Sequence, residues 1–256
     1  MAFTVVQLTD PHLGARWSDD AASALAAAVA AVGDALGDAP DAVIVTGDIA
    51  STPTDEEYAT ARAQLDRLGA PLYALPGNHD DRDALRRHFD VPGDGPVSYT
   101  VELGSRPARA PVRLVALDST RPGSDGGQLD AARLQWLEGA LAEDRSTPTL
   151  LAMHHPPLLT GIPAMDAIGI PEDERTALAG IISRHPQVQV VACGHVHRAI
   201  IGTLGGAAVV AIPSTDVQLA LDFEPGDLRF VREPPCFAVH IPVDGRLVSH
   251  IQPVRT

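Results

Sequence analysis

The sequence predicts an α/β protein with buried sheets, and three observations carry that expectation. Apolar runs of strand length alternate with helical patterns through most of the chain. Five polar clusters each fall just beyond a predicted strand, where open α/β sheets gather their sites. The chain has 256 residues, enough for one large domain with a full core.

Taken in order, residues 4–8 read as a first strand that meets a carboxylate at Asp10, and residues 19–36 as an Ala-rich helix. A strand over 42–46 follows, then a helix over 54–68 that Thr54 and Glu57 open as a capping box. Strands over 71–75, 112–117, 149–153 and 188–192 alternate with helices over 81–88, 128–142 and 172–183. After Gly194 the texture changes. Residues 207–212, 236–241 and 247–251 read as strands, joined by Asp244-Gly245 and by a charged, Pro-bearing stretch over 222–235.

Composition narrows the function classes. An apolar fraction of 45% with only 20% charged residues excludes a disordered chain. No apolar run approaches the length of a membrane span, and the N-terminal residues carry no basic leader. A net charge of −14 argues against a duplex nucleic-acid partner, which requires clustered positive charge. It leaves room for an anionic small substrate, because bound metal ions can make one pocket positive. Cys193 and Cys236 form no disulfide framework, so a cytoplasmic protein is expected.

The five clusters are Asp10-Pro11-His12, Gly47-Asp48, Gly77-Asn78-His79-Asp80, His154-His155 and Gly194-His195-Val196-His197. Asp, Asn and neutral His suit Zn, Mn, Fe or Co, and no thiolate stands among them. Seven such donors exceed what one tetrahedral ion needs and match a metal pair sharing a carboxylate. Singly, each cluster reads as a strand-end turn or a core histidine. Asp80 and Asp81 read as first-turn helix residues, and Leu134, Trp136 and Leu137 as a core-facing helix stripe. His88, His185, His240 and His250 belong to no cluster and are expected in the surface or core.

The clusters, in this order, resemble those of the calcineurin-like metallophosphoesterases, and the likeness runs from Phe3 to Arg198. The stretch from His154-His155-Pro156-Pro157 to Asp166 is similar to the class III cyclic-nucleotide phosphodiesterases and related glycerophosphodiesterases, as is the segment around Gln135-Trp136-Leu137. The resemblance implies a four-layer α-β-β-α sandwich of two mixed sheets flanked by helices, with a small C-terminal β appendage. Residues 1–212 are then a catalytic domain, and residues 213–256 a segment that completes the sheet and caps the site or makes a dimer contact. It also implies that Asp10, His12 and His197 hold one metal, that Asn78, His154 and His195 hold the other, and that Asp48 bridges them. His79 then assists the leaving alkoxide, and His155 joins it and Asp48 in the catalytic group.

The reaction so implied is hydrolysis of a small phosphodiester, a cyclic nucleotide or glycerophosphodiester, by attack of a metal-bound hydroxide in line with the leaving group. Pro76 stands where protein phosphatases place an Arg that grips a doubly charged phosphate, and Ser51 where purple acid phosphatases place a Tyr ligand. Residues 213–218 carry no His where some glycerophosphodiesterase relatives have one. A phosphomonoesterase or nucleotidase on the same scaffold is the alternative, with a catalytically silent binding module behind it. A homodimer or higher homo-oligomer is expected. The apolar loop over 158–170 is expected either to pack on the tail or to wall the pocket, with Ala164 leaving room for larger diesters.

Overall fold

The computed structural model describes residues 3–18, 20–104 and 111–255. The expected start of the first helix at Asp19 lies outside the described residues, as do Met1 and Ala2. The protein is built on two large mixed sheets. In the first, β1 (Val5–Leu8), β2 (Ala42–Thr46) and β3 (Leu72–Leu75) run parallel. The other edge of β1 pairs antiparallel with β12 (Cys236–Val243), which forms a hairpin with β13 (Arg246–Pro253). The second sheet has β5 (Val112–Ala116), β6 (Thr149–Ala152), β7 (Val188–Cys193) and β9 (Ala207–Ala211) in parallel, flanked by antiparallel β4 (Tyr99–Leu103) and β8 (Ile200–Leu204).

Strand alternation divides the apolar side chains among three core layers. Val5, Ile44, Leu114, Ala152 and Val190 fill the space between the sheets. Val6, Leu8, Val43 and Val45 point the other way, against α1 (Ala21–Leu36), α2 (Asp55–Leu65) and α3 (Arg82–Phe89). Val115, Leu151 and Val191 do the same for α4 (Ala131–Glu143) and α5 (Glu172–Arg184). Burial on both faces explains why the central strands are mainly apolar, with buried Gln7, Thr46, Arg113 and Thr149 as the polar exceptions. The result is the expected four-layer sandwich.

Local chemistry sets the helix ends. Asp20 caps α1 by accepting from the Ser23 N–H at 2.9 Å, and Gly37 closes the helix at φ 71°. Thr54 and Glu57 form the expected capping box on α2, which ends in a short 3₁₀ turn over Asp66–Leu68. Two edge strands, β4 and β8, fall outside the sequence expectation. So does the small hairpin of β10 (Gln218–Leu219) and β11 (Phe230–Val231), which rises from the segment between β9 and β12. Among the described residues, no helix is long and apolar enough to cross a membrane.

A polar chain crosses the apolar layer between the sheets. Gln7 donates to Thr46 Oγ1 and to the Cys193 carbonyl, both at 3.0 Å, and accepts from His240 Nε2 at 3.1 Å. His240 Nδ1 in turn lies 2.7 Å from Ser249 Oγ. Every member is satisfied, which is what makes such a chain tolerable in a core. Burial pushes the His240 imidazole down to about 4, from an ordinary 6.5. The unfolded chain therefore takes up this proton first, and the stability tied to neutral His240 is lost as pH falls from about 6.5 towards 4. The full effect is about 3 kcal/mol. His240→Gln is expected to flatten that part of the stability–pH curve in denaturant unfolding. An equal slope in both proteins would exclude His240 as its source.

Candidate metal centre

All five predicted clusters meet at one edge of the molecule, beyond the carboxyl ends of β1, β2, β3, β6 and β7. The turns that carry them are unusual. Asp10, His12, Asp48, His195 and His197 have φ between 47° and 68°, so five of the seven described non-Gly residues in the left-handed region are expected ligands. Such conformations cost energy for residues with a Cβ and persist where the surroundings enforce them. Two glycines make that crowding possible. A Cβ on Gly77 would stand 2.1 Å from Asp48 Oδ1, and one on Gly194 would stand 2.0 Å from Thr9 Oγ1.

The side chains fall into overlapping groups with ligand atoms within 4.8 Å of one another: Asp10, His12 and His197; Asp10, Asp48 and His154; His12, Asp48 and His79; His154, His155 and His195. Asp48 Oδ2 lies 3.4 Å from both His12 Nε2 and His154 Nε2. Asn78 Oδ1 is 3.1 Å from His154 Nε2, and His12 Nε2 is 3.1 Å from His197 Nε2. The Asp10 carboxylate accepts the His195 backbone N–H at 3.0 and 3.1 Å, and Asp48 Oδ1 accepts that of His79 at 2.9 Å.

The hydrogen bonds behind the imidazoles settle which nitrogen faces inward. His154 Nδ1 lies 2.8 Å from the Thr46 carbonyl, and His197 Nδ1 lies 2.8 Å from that of Val217. A carbonyl only accepts, so each Nδ1 carries a hydrogen, and Nε2 in the neutral ring turns a lone pair to the centre. His12 Nδ1 lies 3.2 Å from Ser51 Oγ, whose own hydrogen goes to the His12 carbonyl. His195 Nε2 is buried with no partner among the described atoms. Four inward lone pairs and two buried carboxylates form a donor set that a cation completes.

Electrostatics agree. Burial disfavours charge on Asp48, but His154, His12 and His79 more than offset it and hold the carboxyl well below its usual range. Burial likewise works against a charged His154, yet Asp48 and Asp10 push it up to about 9. The centre draws positive charge. Asp10 is raised by burial against the pull of His197 and His154, while burial and neighbouring imidazoles lower His12 and His195.

Several residues take parts that the sequence did not disclose. His155 is completely buried. Its backbone N–H donates to Ser119 Oγ, so the Ser119 hydroxyl donates to His155 Nδ1, and His155 Nε2–H donates to the Asp125 carbonyl. Burial, helped by His154, pushes its pKa down to about 3. The ring is thus neutral, with both nitrogens engaged. Ser119 belongs to a sixth polar run after a strand, Asp118-Ser119-Thr120, and that position was the available signal. Asp80 is not a helix residue. Asp81 caps α3, while Asp80 accepts from the N–H groups of Ile49, Ala50 and Gly77 and from the Tyr58 hydroxyl, at 2.9–3.1 Å. It ties the Asp48 turn to the Asn78 turn. Burial, with Asp48 nearby, pushes its pKa up to about 6. The 213–218 loop buttresses the centre, since Ser214 Oγ donates to the Asp10 carbonyl at 2.7 Å.

The centre opens into a cavity of about 220 Å³. One end is polar, with His12, Asp48, Asn78, His79, His195 and His197. The other is a wall of Trp17, Met165, Ile168, Leu219, Leu228 and Phe230. The 158–170 loop fulfils both of its expected roles. Ile162 and Met165 pack on Val196 and Leu219, and Met165 and Ile168 face the cavity. Ala164 is not among the lining residues, so the room attributed to it is set by Met165 and Ile168.

Comparisons with known proteins agree with this geometry. The chain is 35% identical over 206 residues to a probable glycerophosphodiester phosphodiesterase of Arcobacter nitrofigilis, covering 78% of this chain and 73% of that protein. It is 36% identical over 256 residues to a probable cyclic nucleotide phosphodiesterase of Rhodopseudomonas palustris, covering 96% and 90%. A 3′,5′-cyclic adenosine monophosphate phosphodiesterase of Pseudomonas aeruginosa is 31% identical, with 98% and 89% covered. The fold matches that of a dimetal phosphatase from Danio rerio with a TM-score of 0.70 at 18% identity, over 99% of this chain and 97% of that one. Residues 3–199, which carry every one of these clusters, match the Calcineurin-like phosphoesterase family model, and the chain belongs to that family.

Proposed function

We propose that the protein hydrolyses small phosphodiesters at a dinuclear metal centre. The observation that carries this reading is the lining of the cavity, which joins a cation-seeking histidine–carboxylate end to an apolar wall and, among the described residues, includes no Arg or Lys. A diester brings one negative charge, which the metal end can meet, and two organic groups, which the wall can cover. A monoester brings a second charge and finds no fixed cation for it. The names of the relatives, spanning cyclic nucleotide and glycerophosphodiester phosphodiesterases, support the same class.

In this reading Asp10, His12 and His197 would hold one ion, Asn78, His154 and His195 would hold the other, and Asp48 would be shared between them, with both ions drawn from Fe, Mn, Zn and Co. Such a pair supplies positive charge to the phosphate and lowers the pKa of water. The chain's own residues do the rest. His79, half-buried at the cavity and fixed to Asp48 through its backbone, donates a proton or hydrogen bond to the departing alkoxide. His155 is a positioning residue, holding the Asp125 backbone at the cavity and packing against His154 and His195 at ring-centroid distances of 4.9 and 4.4 Å. Beside a catalytic unit of residues 1–212, residues 213–256 complete the first sheet through β12 and β13 and cap the cavity through Leu219, Leu228 and Phe230. Two buried free thiols, Cys193 and Cys236, support a reducing, cytoplasmic setting. Exposed Leu221 and Phe223 on the cap support self-association.

The deciding experiment compares bis(4-nitrophenyl) phosphate with 4-nitrophenyl phosphate on the metal-loaded protein. The diester is expected to lead in kcat/KM by at least about tenfold, a difference of ~1.4 kcal/mol. The reverse ranking overturns the reading in favour of a monoesterase, and turnover of neither ester leaves a binding module. His79→Ala is expected to retain both metals and to lose about 10²-fold on diesters with alkoxide leaving groups. It should lose much less on 4-nitrophenyl esters, whose leaving group needs little protonation. Equal losses on both would remove His79 from the acid role.

A further inference from the structure

Two aromatic side chains frame the mouth of the centre, and the hydrolytic chemistry leaves them unused. Trp17 lies between β1 and α1, and Phe230 comes from the β10–β11 hairpin. Their rings are stacked, with planes 5° apart and centroids 5.8 Å apart. Trp17 meets His12 and His79 edge-on at 5.3 and 5.8 Å, and Phe230 lies 5.7 Å from His197. Both line the cavity, yet they remain 41% and 39% exposed. Aromatic surface left in water forgoes hydrophobic stabilisation, and a flat partner seated on it recovers that and adds stacking. Among the described residues, this wall offers one side-chain hydrogen-bond donor, the Trp17 indole N–H, with Asp125 the further carboxylate that lines the cavity. It recognises by shape and by π contact.

We propose that Trp17 and Phe230 form an aromatic clip that selects phosphodiesters bearing a planar π substituent. The proposal rests on the diesterase reading and deepens it. The clip stands one ring's breadth from the imidazoles, so a phosphate held at the histidine end places a substituent one or two bonds away against these rings. A planar group gains contact on its face there. A saturated polyol loses water from its hydroxyls and finds few partners in return. The two side chains come from segments far apart in sequence, and a change in either alters the choice of substrate while every expected ligand residue is retained.

The test uses a matched pair, naphthylmethyl methyl phosphate and cyclohexylmethyl methyl phosphate, followed by phosphorus NMR on the metal-loaded protein. The wild type is expected to favour the naphthylmethyl diester by about tenfold in kcat/KM, chiefly through KM. Trp17→Leu and Phe230→Leu should each bring the pair to within roughly twofold, whereas Trp17→Phe should keep most of the preference. No preference in the wild type, or one that survives both leucine variants, overturns the clip. Failure of the diesterase reading looks different: neither diester is cleaved while 4-nitrophenyl phosphate is. The clip is then judged by binding, through Trp17 fluorescence in a Trp136→Phe background. Stronger quenching by the naphthylmethyl than by the cyclohexylmethyl diester supports it, and equal quenching overturns it.

Discussion

Asp48→Ala is expected to leave fewer than two metal ions per chain and to reduce diester turnover by at least about 10³-fold. The carboxylate stands between both halves of the centre, with Oδ2 3.4 Å from His12 Nε2 and from His154 Nε2. No neighbouring carboxylate replaces it, because Asp10 is engaged by the His195 backbone and Asp80 points to the turn behind. Removing it takes away the charge that raises His154 and attracts cations to the midpoint. Elemental analysis reads the outcome directly, and an unchanged count of two ions would exclude a bridge. Asp48→Asn separates charge from shape. It keeps the acceptor for the His79 N–H, so a loss of metal as complete as in the alanine variant assigns the effect to charge.

The second large effect is on stability. Asp80→Ala is expected to cost about 3–5 kcal/mol in denaturant unfolding, since it orphans several polar groups in one buried place. Three backbone N–H groups, from Ile49, Ala50 and Gly77, lose their acceptor together with the Tyr58 hydroxyl. Tyr58→Phe removes the last of these and also the acceptor of the Asp81 N–H at 2.9 Å, and is expected to cost about 1–2 kcal/mol. The same substitution loosens the positive-φ turn at Asp48, so metal affinity should fall alongside stability. A cost below that of Tyr58→Phe would show that these N–H groups find other partners.

Much of this protein is legible in its sequence because its central strands are buried on both faces. The runs at 42–46 and 112–117 need no partner to be recognised, and the structure returns Ala42–Thr46 and Val112–Ala116. Edge strands carry no such mark. Tyr99–Leu103 includes Glu102 on an exposed position, and Ile200–Leu204 includes Gly202, so neither presents an uninterrupted apolar run. The centre was legible where each ligand follows a strand, since order along the chain and sheet geometry together imply convergence. Partnerships across the fold were not. Nothing near Ser51 in sequence indicates that it fixes the His12 ring, and nothing near Trp17 anticipates Phe230. Asp80 was misread because a carboxylate before a helix has an ordinary local explanation, and only the turn at 47–50 reveals its distant role.

The strand that leads to Asp10 and His12 is held between β2 on one side and β12 on the other, with Val5 opposite both Ala42 and His240. During synthesis from the N-terminus, β1 and β2 are available to pair early, whereas β12 is made after every ligand. One edge of β1, apolar and unpaired, therefore remains open for most of translation, a template for wrong strand partners. Pairing across almost the whole chain is also the slowest kind of contact to close. β2 sets the register of Asp10 and His12, whose N–H groups donate to the Gly47 and Asp48 carbonyls, and β12 closes the remaining edge of β1. The strand that leads to the first two expected ligands is thus enclosed last by a strand that contributes none.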